Sequence, residues 1–311
     1  MFAIATLAVA QTTPPRPPAR PDEQQTIRVE ATLVNTLFTV VDKNGKGRFM
    51  TNLKKEDFKV YEDNKLQNVT NFSTETNLPL SIALLVDTSG SIRDKLKAEQ
   101  DAAIDFFYSV MQRGKDRGLV ITFDEGVDVR QDFIDNPEKL ADSIRKIKVG
   151  GGTSMYDAVH LAISERLAKE PEDRRKVLIL ISDGDDNAST LATFTDALEL
   201  AQRYNITIYT ISTNTSAYFG TRSQESGDRV LKRLAEDTGG FPFFPLKLND
   251  MAVSFSEIGK ELRSQYSISY RPTRPDDGTF RKIRIEVATI KDLKVRSRSG
   301  YYAPKAVASR Q

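Results

Sequence analysis

The 311-residue sequence has no cysteine and a single histidine, His160. Without thiols there are no disulfides, no thiolate metal sites and no cysteine nucleophile. With one imidazole there is no multi-histidine metal centre, and a serine-histidine-aspartate triad would rest on His160 alone. A chain without cysteine suits oxidising and reducing compartments alike. Net charge is also lacking: 45 Lys and Arg face 43 Asp and Glu, leaving +2. That balance supplies no global attraction to nucleic acid or to an anionic membrane. No run approaches the ~20 apolar residues of a membrane span. What is present, 39% hydrophobic and 28% charged residues, is enough to bury a sizeable core.

The chain opens on an apolar decapeptide. Residues 1–10 end in Ala8-Val9-Ala10, a small-x-small pattern like a secretory cleavage site. A basic n-region is missing, so the segment reads either as the remnant of a trimmed signal peptide or as a plain apolar N-terminus. On the first reading the protein is expected to be exported: periplasmic, on the cell envelope, or secreted. Residues 11–25 hold five of the 13 prolines. Proline fixes φ and removes a backbone donor, so this stretch reads as an extended linker.

Residues 26–75 are expected to be β structure. Ile27, Val29, Ala31 and Leu33 alternate with Arg28, Glu30 and Thr32, the period of a half-buried strand. Residues 37–41 form a second run and lead into Asn44-Gly45, a strong hairpin signal. Phe58, Val60 and Tyr61 precede another turn at 62–65. Residues 264–303 return to this pattern. There Tyr266, Ile268 and Tyr270 alternate with serines, and Ile283, Ile285 and Val287 with Arg284 and Glu286. Each segment is marginal alone, so the two are expected to pack together as one β-sandwich-like unit. Residues 304–311 read as a tail.

From 79 to 263 the pattern changes. Residues 82–86, 119–123, 177–181 and 206–211 are apolar apart from Thr122, Thr207 and Thr210, as strands buried on both faces are. Helical stretches lie between them at 92–112, 155–169 and 193–204. In the first, Leu96, Ala103, Phe106 and Val110 share one face. Residues 127–133 are expected as an antiparallel edge strand. The alternation predicts an α/β fold: a doubly wound, mostly parallel sheet with helices on both faces.

In such a sheet, ligands bind beyond the carboxyl ends of the strands. The strand at 82–86 runs into Asp87-Thr88-Ser89-Gly90-Ser91. The strand at 177–181 runs into Ser182-Asp183-Gly184-Asp185-Asp186, and Gly150-Gly151-Gly152-Thr153-Ser154 opens a helix between them. These loops bring carboxylates and hydroxyls together, without thiol or imidazole. That hard-oxygen set suits Mg²⁺, Mn²⁺ or Ca²⁺ rather than Zn²⁺ or Cu²⁺. Alternate side chains of Asp87-x-Ser89-x-Ser91 can face one point. An ion held mostly by neutral oxygens stays positive enough to take a further anionic ligand.

These residues resemble the metal-ion-dependent adhesion site of von Willebrand factor A domains: Asp87, Ser89 and Ser91 in one loop, then Thr153, then Asp183. The resemblance spans roughly residues 79–263 and fills every position of the motif. It implies a Rossmann-like domain in which Ser89, Ser91 and Thr153 are hydroxyl ligands. Asp87 and Asp183 would act mainly through waters and hydrogen bonds to those hydroxyls. It further implies a binding module rather than an enzyme, whose Mg²⁺ (or Mn²⁺ or Ca²⁺) takes an Asp or Glu carboxylate from a protein partner. The flanks, residues 57–63 before and Ser299-Gly300-Tyr301-Tyr302 after, resemble a subgroup of exported acidobacterial proteins with such a domain. That adds architecture rather than activity.

Blander readings stand beside these. Ser91 also suits the N-cap of the helix that follows. Asp185 and Asp186 read as a solvated loop or as a weaker second cation site. His160 shares a helical face with Tyr156 and Ile163 and reads as half-buried. Phe241, Phe243 and Phe244 read as core. Residues 215–228 read as a polar loop at the same sheet end, either plain surface or an interface with Tyr218, Phe219 and Arg222. Two other functions compete. A structural envelope protein would recognise partners through its β segments. A Mg²⁺-dependent phosphoester hydrolase would use Asp87, but Ser89 stands where such an enzyme needs its second acid.

Overall fold

The computed structural model describes residues 33–43, 47–74, 78–214, 222–247 and 250–305. Outside them lie the signal remnant, the proline linker, most of the first expected strand, the Asn44-Gly45 turn, residues 215–221 with Tyr218 and Phe219, and residues 306–311 of the tail.

Four strands come first: β1 (Val34–Asp42), β2 (Phe58–Glu62), β3 (Lys65–Gln67) and β4 (Val69–Thr74). Val34, Thr36, Phe38 and Val40 of β1 are buried, following the strand period. β2 and β3 form a hairpin in which Glu62 pairs with Lys65. The two residues between them, Asp63 and Asn64, have φ of +45° and +66°. A type I′ turn requires that sign at both positions, so the expected turn at 62–65 is present.

β5 (Leu80–Asp87) is buried along its whole length. A short 3-10 turn, Gly90–Ile92, separates it from α1 (Leu96–Val110), which starts four residues later than the pattern suggested. Then come β6 (Arg117–Phe123), β7 (Val127–Ile134), α2 (Pro137–Arg145), α3 (Met155–Glu165) and β8 (Arg175–Ser182). They are followed by α4 (Phe194–Arg203), β9 (Thr207–Ser212), α5 (Arg222–Thr238), β10 (Pro242–Phe243) and α6 (Asp250–Leu262). The strands form one sheet in the order β10-β9-β8-β5-β6-β7, parallel except for the β6–β7 pair. Alternation along β5 sorts the two faces. Ile82, Leu84 and Val86 pack with α1, α2 and α6, while Ala83 and Leu85 pack with α3, α4 and α5. This is the expected doubly wound arrangement, with β7 as the antiparallel edge.

Three helices exceed the sequence-based expectation, and one of them corrects it. Residues 222–228 are not loop but the opening of α5. They carry no large apolar side chain, and the helix's buried face begins only at Leu231 and Leu234. Helix α2 starts on an Asn-Pro signal: the Asn136 side chain accepts the N–H groups of Glu138 and Lys139, and Pro137 is the first helical residue. Helix α6 places Met251, Phe255, Ile258 and Leu262 on one buried stripe. Phe244 is a second correction. It is 41% exposed, because only Pro242 and Phe243 continue the sheet.

β11 (Tyr266–Tyr270), β12 (Phe280–Val287), β13 (Leu293–Ser297) and β14 (Gly300–Tyr302) follow. They interleave with the first four strands in two antiparallel sheets, ordered β13-β1-β11-β4 and β14-β12-β2-β3. Each sheet therefore draws strands from both sides of the α/β region. One hydrophobic cluster unites Phe38, Phe58, Val60, Tyr266, Ile268, Ile283 and Ile285. Phe38 stacks on Tyr266 at 5.4 Å and meets Phe58 edge-on at 5.0 Å. Glu261 of α6 accepts from Thr39 of β1 at 2.8 Å and pairs with Arg296 of β13 at 3.1 Å, fastening these sheets to the α/β region.

Candidate functional site

Strands β5 and β8 are neighbours, with Val86 opposite Ile181, so Asp87 and Asp183 leave the sheet side by side. Asp87 is fully buried. One carboxylate oxygen accepts the Ser89 backbone N–H at 2.9 Å, and the other accepts the Ser182 hydroxyl at 2.7 Å. Burial pushes its pKa up to about 6, against the pull of the Ser89 N–H and the Ser182 hydroxyl.

The glycine loop is laced to this strand end. The Gly150 N–H donates to the Thr88 carbonyl at 2.6 Å, and the Gly90 N–H donates to the Gly151 carbonyl at 3.2 Å. A Cβ on Gly150 would fall on the Asp124 carboxylate, which would have to turn away to admit it. Thr153 then sits almost wholly buried. Its N–H donates to Asn187 Oδ1 at 2.9 Å, and its carbonyl accepts the N–H groups of Asn187 and Ala188. The three loops expected to converge are thus cross-linked, with Ser89 and Thr153 recessed at 5% and 4% exposure. The side chains of Ser91 and Arg222 lie outside the described residues.

Asp183 is half-buried, and its carbonyl accepts from Asn214 Nδ2 at 3.0 Å. The next residue, Gly184, has φ of +83°, and a Cβ there would lie 2.3 Å from the carbonyl oxygen of Gly227 on α5. Gly184→Ala should therefore shift the Asp183 loop and lower both the thermal midpoint and any cation affinity. Parallel melts and cation titrations of that variant check this.

Several residues of this region have no motif to announce them. Ser182 orients Asp87, and Asn187 orients Thr153. Asp157 of α3 accepts the N–H groups of Thr190, Leu191 and Ala192 within 2.8–2.9 Å, holding the loop after β8. Asp186 accepts from the Tyr156 N–H at the start of α3 and from the Ser189 hydroxyl of its own loop, so its carboxylate braces the loop. The hydroxyl ending a buried strand (Ser182) is the one signal that reading the sequence could have used. His160 is half-buried on α3, as expected.

Among the described residues, no three histidine, aspartate or glutamate side chains gather into a metal cage. A cation here would rest on hydroxyls backed by two carboxylates, and that donor chemistry fits a hard divalent ion.

Residues 82–185 match the von Willebrand factor type A domain. The matched segment runs from β5 to the loop after β8 and contains all the candidate ligands. A search of curated proteins found no match. Among solved structures, a von Willebrand factor type A protein from Catenulispora acidiphila is similar, with TM-score 0.52 and 12% identity over 89% of this chain and 75% of that one. Proximal thread matrix protein 1 from the mussel byssus gives 0.52 at 16% identity, over 65% of this chain and 50% of its own. The same mussel protein with a zinc-occupied MIDAS motif gives 0.51 at 17%, over 66% and 50%. The likeness thus spans about half the length of the mussel protein. At these identities it establishes the type A fold.

Proposed function

We propose that this chain is a binding module whose type A domain presents a divalent cation to a carboxylate of a protein partner. The observation that supports this reading is the cross-linking, at one sheet end, of the three loops that carry Asp87 and Ser89, Thr153, and Asp183. Ser89, Ser91 and Thr153 would offer hydroxyl oxygens to the ion. Asp87 and Asp183 would act through waters and hydrogen bonds. When bound, the ion supplies a Lewis-acidic position for an Asp or Glu of the partner, with Mg²⁺ the first candidate and Mn²⁺ or Ca²⁺ the alternatives. The mussel protein's zinc-occupied motif supports a divalent ion at this kind of site. No chemical step is assigned to the chain.

In this reading residues 79–263 form the type A domain, inserted between two halves of one β-sandwich-like unit, 26–75 and 264–303. The interleaved strand orders and the shared cluster support that division. Export, in the manner of the acidobacterial subgroup, rests on Ala8-Val9-Ala10. The test is capture of a partner from an envelope extract of the source organism, with Mg²⁺ and with EDTA. Capture should need Mg²⁺. Capture that survives EDTA would move recognition to the antiparallel sheets.

A further inference from the structure

A buried carboxyl group that the motif does not include feels the charges of Asp87 and Asp183. Glu99, in the first turn of α1, is 1% exposed. Neither of its carboxyl oxygens has a hydrogen-bond partner among the described residues. Buried polar groups are nearly always paired, and an unpaired carboxylate is among the costliest groups to bury. Its surroundings tie it to the site. The Glu99 N–H donates to the Lys95 carbonyl at 3.1 Å, while the Lys95 ammonium turns aside to the Thr213 carbonyl. Thr213, past the end of β9, is wholly buried, and its own hydroxyl is also unpartnered among the described residues. The Thr213 N–H donates to the Ser182 carbonyl at 3.0 Å, and Ser182 is the residue whose hydroxyl holds Asp87.

The charged groups acting on Glu99 are Asp87 from β5, Lys95 from the turn before its own helix, and Asp183 from the loop after β8. Two carboxylates and one ammonium, itself spent on a carbonyl, thus act on a third, unpaired carboxyl group.

We propose that Glu99 is a further residue of the cation site: a buried positioning carboxylate that balances the ion's charge without ligating it. This rests on the cation reading above. Burial first, then repulsion from Asp87, pushes the Glu99 pKa up to about 8. Near neutral pH the cation-free protein therefore keeps a proton on Glu99, and the ion's arrival displaces it. Cation affinity should rise with pH up to about 8. The stability sign follows too. A raised carboxyl pKa costs nothing below the unfolded value. Its penalty grows above the ordinary value of 4.5 and is complete above about 8. The cation-free protein should therefore lose thermal stability across that interval.

The test titrates the full chain with Mn²⁺ alone by calorimetry at pH 6.5 and 8.5, in buffers of different ionisation heat. It compares the wild type, Glu99→Gln and Ser89→Ala. Glu99→Gln should bind about tenfold more weakly at the higher pH, as changes behind a ligand shell do. It should also release fewer protons, and its cation-free melting midpoint should fall less between pH 5 and 9. Glu99→Met, apolar and of similar size, should behave likewise. If Ser89→Ala abolishes binding while Glu99→Gln keeps wild-type affinity and proton release, Glu99 has no part in the site and the cation reading survives. A wild type that takes up no Mn²⁺ overturns both.

Discussion

Ser89→Ala and Thr153→Ala should each cost most of the cation affinity, and partner binding with it, while the folded protein stays almost as stable as before. The asymmetry comes from where the groups sit. Thr153 holds its neighbours through its backbone, N–H to Asn187 and carbonyl to Asn187 and Ala188, and alanine keeps those bonds. The Ser89 N–H that supports Asp87 also belongs to the main chain and stays; alanine removes the hydroxyl, which both bonds Asp87 and is offered to the ion. Losing a group behind the ligands typically costs 10–100-fold in metal affinity, so losing a ligand should cost roughly 100-fold or more. The stability change should stay near ~1 kcal/mol, since neither site would leave a large cavity. On the partner, one Asp→Asn change should have the same effect, because a neutral amide is a poorer ligand for a hard cation. Isothermal titration with Mg²⁺, partner affinity and a thermal melt on each variant separate the two costs. Unchanged partner affinity in folded Thr153→Ala would show that recognition lies elsewhere.

The strands of the α/β region were legible because burial on both faces writes an unbroken apolar run, as in β5 and β8. The ligand loops were legible because strand ends are where such folds bind: Asp87 and Ser89 follow β5, Asp183 follows β8, and Thr153 sits on the glycine loop that opens α3. Helix α5 was hidden for a physical reason. It opens on Arg222-Ser223-Gln224-Glu225-Ser226-Gly227-Asp228, whose glycine reads as a loop signal. In the fold that glycine lets α5 touch the backbone of Asp183 and Gly184, where any side chain would collide. Glu99 was hidden for the opposite reason. A lone acid in the polar first turn of a helix looks like ordinary dipole complementation, and only its burial reveals otherwise. The pairing of strands from the two chain ends followed from their one-sided alternation. The register, and the buried charges it brings together, did not.

Those charges carry the second large effect. Glu62 of β2 is 2% exposed and accepts hydrogen bonds from the hydroxyls of Tyr270 and Tyr301 at 2.8 and 2.9 Å. The fully buried Arg281 of β12 lies 3.5 Å from its other oxygen. Burial, reinforced by Glu62, holds both tyrosine pKa values above the ordinary range, so both hydroxyls remain donors. Glu62→Ala would leave Arg281 with Asp277, the Tyr301 hydroxyl and backbone carbonyls, and would take the acceptor from both tyrosine donors. Removing one partner of a buried pair costs about 3–5 kcal/mol. At ~2–4 °C per kcal/mol for a domain of this class, the midpoint should drop by about 10 °C. Glu62→Gln keeps an acceptor and should lose less. Replacing both charges, Glu62→Met with Arg281→Met, should recover much of the loss, because an apolar pair of similar volume needs no compensation. Differential scanning calorimetry of the three variants ranks them. Cation binding should be intact in each folded variant, since no bond of this network reaches the 87–91 loop. A wild-type midpoint in Glu62→Ala would mean that Asp277, Tyr301 and the carbonyls already hold Arg281, and that neither the ion pair nor the tyrosine bonds to Glu62 stabilise the fold.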